Sequence, residues 1–238
     1  MAVKTLTIDG RQVTAPEGAT VLDACEDAGI PLPTLCHLDG VQDVGACRLC
    51  LVELTGSSKL LPACTTQAAE GMEIRTDTER LRRYRRLTLE LLFAERNHVC
   101  AVCVANGNCE LQSLAASCGM DHVRYEYQCP AWPVDHTHAL YGMDHNRCIL
   151  CTRCVRVCWD IEGAATKGVS GRGARSEIIT DLHQPWGQAD SCTACGKCVM
   201  ACPTGAIFYK GATTAEMQRD RTRLEFIVNA RKHKQWNA

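Results

Sequence analysis

Two stretches of the chain repeat one another: CILCTRCVRVC at residues 148–158 and CTACGKCVMACP at 192–203. Each has the spacing C-x2-C-x2-C-x3-C, and only the second is closed by a proline. The 238 residues include 18 cysteines but only 5% aromatics, with three Phe. This composition argues against a single large aromatic core, and small modules stapled by something other than side-chain packing fit better. Disulfides need an oxidising compartment. The N-terminus, MAVKTLTIDGRQVTAPEG, has no apolar leader and reads as strand and turn. No apolar run approaches the ~20 residues of a membrane span. The expectation is a cytoplasmic chain whose cysteines hold metal. A net charge of −1 argues against bulk nucleic-acid binding.

The repeated spacing is that of [4Fe–4S] clusters in bacterial ferredoxins. Three cysteines wrap one cubane in a tight loop, and the fourth sits on the next segment and ligates the other cluster. The predicted ligand sets are therefore crossed. Cys148, Cys151, Cys154 and Cys202 hold one cluster; Cys192, Cys195, Cys198 and Cys158 hold the other. Pro203 disfavours helix at the residue before it and PTGAI reads as a turn into a strand. In the first copy Trp159 follows Cys158, so the chain is free to run on as helix. The link between the copies holds a Gly-rich turn and one alternating strand, SEIITDL. Structural zinc is the alternative, but it usually shows paired C-x2-C knuckles with four ligands in all.

At the N-terminus, VKTLTI, DG and RQVTA read as a β-hairpin, and TVLDACEDAGI as a short helix with Thr20 and Asp23 in a capping box. Cys36, Cys47, Cys50 and Cys64 follow, spaced x10, x2 and x13. Three cysteines on a loop with a distant fourth is the layout of a plant-type [2Fe–2S] site with a lengthened first gap. The glycine of GACRLCLVEL suits a backbone passing close to a cluster. Cys25 reads as a buried apolar residue, and so does Cys129.

In the middle, Leu81, Tyr84, Leu87 and Leu91 are expected on the buried face of a helix. Arg80, Arg82, Arg83, Arg85 and Arg86 are expected largely on its solvated side. Cys100, Cys103 and Cys109 then supply three thiolates, spaced x2 and x5. The expected fourth ligand of a [4Fe–4S] cluster here is His98, with Cys118, or a three-ligand or empty site, as the alternatives. A neutral imidazole makes the cluster less negative and should raise its potential.

The order of sites resembles the N-terminal part of the large iron–sulfur subunit of respiratory complex I and the accessory domain of [FeFe] hydrogenases. More closely, FAERNHVCAVCVANGNCELQ, GMDHNRCILCTRCVRVC, QPWGQADSCTACGKCVMACPTGA and EMQRDRTRLEFIVNARKHKQW are similar to the small iron–sulfur subunit of the diaphorase module of cytosolic NAD-reducing [NiFe] hydrogenases. One spacing departs from the family pattern. The family usually has three residues between the histidine and the first cysteine, and HVC leaves one.

The resemblance implies an α+β, modular fold. A β-grasp [2Fe–2S] ferredoxin-like domain is expected at 1–78 and a small helical one-His/three-Cys domain at 79–138. A 2[4Fe–4S] ferredoxin-like domain would occupy 139–212, and a docking helix 213–238. It implies an electron relay in a hydrogen:NAD+ oxidoreductase. The expected partners are a flavin/NAD-binding diaphorase subunit carrying FMN, and hydrogenase small and large subunits carrying the Ni–Fe centre. No flavin or nicotinamide site and no catalytic constellation is recognisable in the chain itself. The alternatives are an electron-transfer subunit of another NAD-linked complex, of formate dehydrogenase or complex I type, and a zinc-stabilised interaction protein.

Overall fold

The computed structural model describes residues 3–217 together with Leu224 and Asn229. The terminal helix expected over 213–238 therefore lies almost wholly outside the described residues.

The hairpin forms as its turn residues demand. Strands β1 (Val3–Ile8) and β2 (Arg11–Pro16) pair antiparallel with Ile8 opposite Arg11. Asp9 and Gly10 make the two-residue turn, both at positive φ (49° and 79°), as a primed turn requires. Helix α1 (Val21–Asp27) starts at the capping box: the Asp23 amide donates to Thr20 Oγ1 at 3.1 Å, and the Thr20 amide donates to Asp23 at 2.7 Å. Strands β3 (Leu51–Leu54), β4 (Leu60–Pro62) and β5 (Glu73–Arg75) complete a five-stranded sheet in the order β2-β1-β5-β3-β4, with β1 and β5 parallel. Leu6, Ile8, Val13, Ala15, Val21, Leu22 and the expected Cys25 form its core.

Helix α2 (Glu79–Glu95) is capped by Thr78. Its buried face differs from the sequence expectation. Tyr84 and Leu91 are exposed, and the buried positions are Leu81, Arg85, Leu89, Glu90 and Ala94. Arg85 turns inward because three backbone carbonyls await it: Leu49 at 3.1 Å, Leu51 at 3.0 Å and Thr76 at 2.8 Å. It thereby pins the helix to the cysteine-bearing loop of the first domain. Helix α3 (Glu110–Ser117) follows the middle cysteines. Cys129 is exposed rather than buried, in a stretch without helix or strand, and its φ is 41°.

The C-terminal part is built on β6 (Val134–Asp135), β7 (Tyr141–Asp144), β8 (Lys167–Ser170), β9 (Glu177–Thr180) and β10 (Ile207–Tyr209). β10, β7 and β6 form one small sheet, and β8 and β9 a separate hairpin. The expected strand is β9; its partner β8, in the Gly-rich stretch, carried no recognisable alternation. The cysteine repeats lead into α4 (Arg153–Arg156) and α5 (Lys197–Ala201). After α4 the chain continues through Cys158 and Trp159 as wide π-type turns over Val157–Glu162, ending at Gly163. After α5, Cys202 is already extended (φ −63°, ψ 125°) ahead of Pro203. Cysteines make up much of this second core, alongside Leu35, Leu49, Leu89, Trp186 and Ile207. Among the described residues no helix is long and apolar enough to cross a membrane.

Candidate metal centres

Three hollows mark where the cysteines converge. One is lined by Cys148, Cys151, Cys154 and Cys202. One is lined by Cys158, Cys192, Cys195 and Cys198. One is lined by His98, Cys100, Cys103 and Cys109. The fold thus brings Cys202 to the first repeat and Cys158 to the second, the crossed arrangement. It brings His98, not Cys118, to the middle site. Cys118 is half-buried at the end of α3 and does not line that hollow.

The local backbone of the two repeats is the same. Leu150 and Ala194 have φ of 53° and 54°, and Thr152 and Gly196 have φ of 59° and 73°. These left-handed residues curl the chain so that the intervening amides and thiols face one point. For Thr152, β-branched, that conformation is a genuine outlier, held because the loop must close.

The chemistry of the donors fits iron–sulfur clusters. Burial pushes the thiols of Cys148 up to about 11 and of Cys151 and Cys198 up to about 12. Thiols so placed ionise only against a strongly charged cation, which a cluster provides. In the middle site, burial and the nearby Arg147 and Arg96 bring His98 down to about 4, so its imidazole is neutral. Its Nε2 is buried without a hydrogen-bond partner. A neutral ring with a buried, unpartnered nitrogen in a hollow lined by three thiols suits a metal ligand. At Gly205 a Cβ would collide with Cys103 Sγ, so the backbone there hugs the hollow.

At the N-terminal site Cys36, Cys47, Cys50 and Cys64 are all buried, and their thiols hydrogen-bond one another. Hydrogen bonds from Cys47 and Cys64 lower Cys36, and one from Cys64 brings Cys50 to about 7. The Leu35 amide points at Cys47 Sγ, 3.4 Å away. Gly45 has φ 60°, as expected for a loop passing close to a cluster.

The sites adjoin. Thr204 lines both the His98 hollow and the Cys148/151/154/202 hollow. Cys154 and Cys158 share the helical run that joins the two repeat sites. Arg156 touches the carbonyls of Cys36 and Cys151, spanning the N-terminal loop and the first repeat. Sequence reasoning missed the buried cations around these sites. Lys167 lines the second-repeat hollow, 2% exposed, with Nζ 2.9 Å from Thr180 Oγ1 and 3.3 Å from the centre of the Trp186 ring. Trp186 Nε1 in turn points at Cys192 Sγ, 3.3 Å away. A charged residue type gives no sign of burial in a sequence.

The matched families follow the same order. Residues 3–79 match the 2Fe-2S iron-sulfur cluster binding domain. Residues 85–124 match the NADH-ubiquinone oxidoreductase-G iron-sulfur binding region, and 139–208 the ferredoxin-like domain of NADH-quinone oxidoreductase subunit 3. The chain is 38% identical to the NADPH-Fe(3+) oxidoreductase subunit alpha of Geobacter sulfurreducens over 86% of its own length, but spans only 24% of that protein. It is 34% identical to the NAD-reducing hydrogenase HoxS subunit gamma of Cupriavidus necator, covering 86% of each chain. A chain in the crystal structure of an NAD+-reducing [NiFe]-hydrogenase in the H2-reduced state superposes with a TM-score of 0.84 at 35% identity, covering 89% of both chains. With this coverage and the matching order of iron–sulfur regions, the chain belongs to the iron–sulfur protein family that includes the HoxS gamma subunit of NAD-reducing hydrogenase.

Proposed function

We propose that the chain is the electron-relay subunit of a cytoplasmic NAD-reducing [NiFe] hydrogenase, non-catalytic itself. Its partners would be a flavin/NAD-binding diaphorase subunit and the hydrogenase small and large subunits. The observation that carries this reading is the adjacency of the sites: the Cys148/151/154/202 hollow adjoins each of the other three. The proposed ligands are Cys36, Cys47, Cys50 and Cys64 for a [2Fe–2S] cluster, and His98, Cys100, Cys103 and Cys109 for a [4Fe–4S] cluster. The two crossed sets hold two more. Domain boundaries at 1–78, 79–138 and 139–212 place these groups in three modules.

Clusters bound at these residues would supply one-electron transfer. The chain's own work is to fix their separation and tune them. Crossed cysteines tie the two repeat loops into one rigid unit. The neutral His98 lowers the negative charge at the middle site. Thr204 Oγ1 donates to the Arg147 carbonyl at 2.7 Å and braces the wall between two sites. Identity to the Geobacter alpha subunit supports a second reading, relay in another NAD(P)-linked complex; the metal content of co-purifying subunits separates the two.

The test is Cys148→Ser in the intact complex. Hydrogen-driven NAD reduction should fall to background, while NADH-to-dye activity at the flavin survives. Unchanged hydrogen-to-NAD turnover would sink the relay.

A further inference from the structure

Arg156 is 8% exposed, yet none of its partners is charged. Nη1 donates to the Gln42 carbonyl at 2.9 Å and Nε to Thr152 Oγ1 at 3.3 Å. Nη2 donates to the Cys36 carbonyl and, at 3.1 Å, to the Cys151 carbonyl. Among the described residues no carboxylate pairs with it. The neighbouring arginines differ: Arg153 meets Glu110 at 2.9 Å, and Arg147 meets Asp144 at 2.5 Å. A guanidinium cannot shed its proton, so once buried it needs a counter-charge. The second repeat has Met200 at the corresponding position, so the cation belongs to the first repeat alone.

We infer that Arg156 is a shared counter-ion: lodged between the Cys36 and Cys151 loops, it balances the negative charge of both clusters and sets their potentials together. Two clusters held against one cation are both easier to reduce than either would be beside a neutral side chain. The planar fork suits the task, since one group donates to backbone carbonyls of two loops at once. This inference rests on reading both cysteine sets as cluster ligands.

The experiment is an EPR-monitored redox titration of Arg156→Gln and Arg156→Lys in the full complex, after iron and sulfide have been counted. An unaltered protein lacking iron at either site would mean that the ligand reading, not the role of Arg156, had failed. With iron retained, R156Q should shift the one-electron equilibria of the [2Fe–2S] cluster and the Cys148/151/154/202 cluster about tenfold toward oxidised, about 59 mV each. The other two clusters should move far less. R156K, which keeps the charge but not the fork, should shift both by less than R156Q. A shift in only one cluster, or in neither, overturns the proposal. If R156Q loses iron, R156K decides. Both potentials close to those of the unaltered protein supports the shared counter-ion, because the charge is kept; both displaced by about tenfold or more means that the fork and not the charge sets them, and overturns it.

Discussion

The two cysteine repeats share their spacing and their backbone but not their surroundings. The set built on the first copy is buried throughout, with Cys148 and Cys151 at 8% and Cys154 and Cys202 at 6% exposure. The set built on the second copy opens to solvent: Cys195 is exposed, and Cys158, Cys192 and Cys198 are half-buried. Spacing therefore specifies the loop, while the residues between and around the cysteines specify the electrostatics. In the first copy those include Arg156 and an αL threonine; in the second, Met200 and an αL glycine. The buried site sits among the others, as the inner site of the proposed relay should, and the open site suits the proposed exchange with a partner.

Breaking the proposed crossed ligation should give the largest effect. Cys202→Ser should damage the cluster wrapped by the first repeat, and Cys158→Ser the one wrapped by the second. Each loses up to about four of about fourteen irons per chain. Iron analysis with EPR of each variant checks this. Loss of the signal from the same repeat, rather than the opposite one, would break the account.

A smaller effect concerns potential. Each site has a buried cation beside it, Lys167 at the open one and Arg156 at the buried one, and the open site should titrate higher because water also favours the extra electron there. Lys167→Met should narrow that gap by on the order of 1–2 kcal/mol, about tenfold in the one-electron equilibrium. Redox titration reads it, and an unchanged gap would remove Lys167 from the explanation.

The smallest effect separates the loops themselves. Gly196→Ala puts a side chain at φ 73°, 3.0 Å from the Tyr141 hydroxyl, and should cost roughly 1–2 kcal/mol in denaturant unfolding. Thr152→Ala, at the matching position, already carries a Cβ and should stay within about 1 kcal/mol. Equal costs would mean that the two loops are not strained in the same way.

What the sequence made legible was local. The Asp9–Gly10 turn, the Thr20–Asp23 box and the Pro203 stop each act within a few residues, and each stands in the structure. The cysteine groups were legible because ligand spacing is itself a local constraint. The inward turn of Arg85 was not, since the carbonyls it satisfies belong to Leu49 and Leu51, far along the chain. Arg156 and Lys167 escaped for the same reason. Their burial depends on loops that meet only in the fold, and a charged residue type points to the surface. Strand β8 has four residues, KGVS, too short and too glycine-rich to show a period.

Four clusters in four adjoining sites can be counted: iron and acid-labile sulfide per chain, on anaerobically purified protein with its co-purifying subunits identified. About fourteen irons with matching sulfide are expected, from one two-iron and three four-iron clusters. About ten irons would remove one cubane from the relay, and zinc without sulfide would rule the relay out.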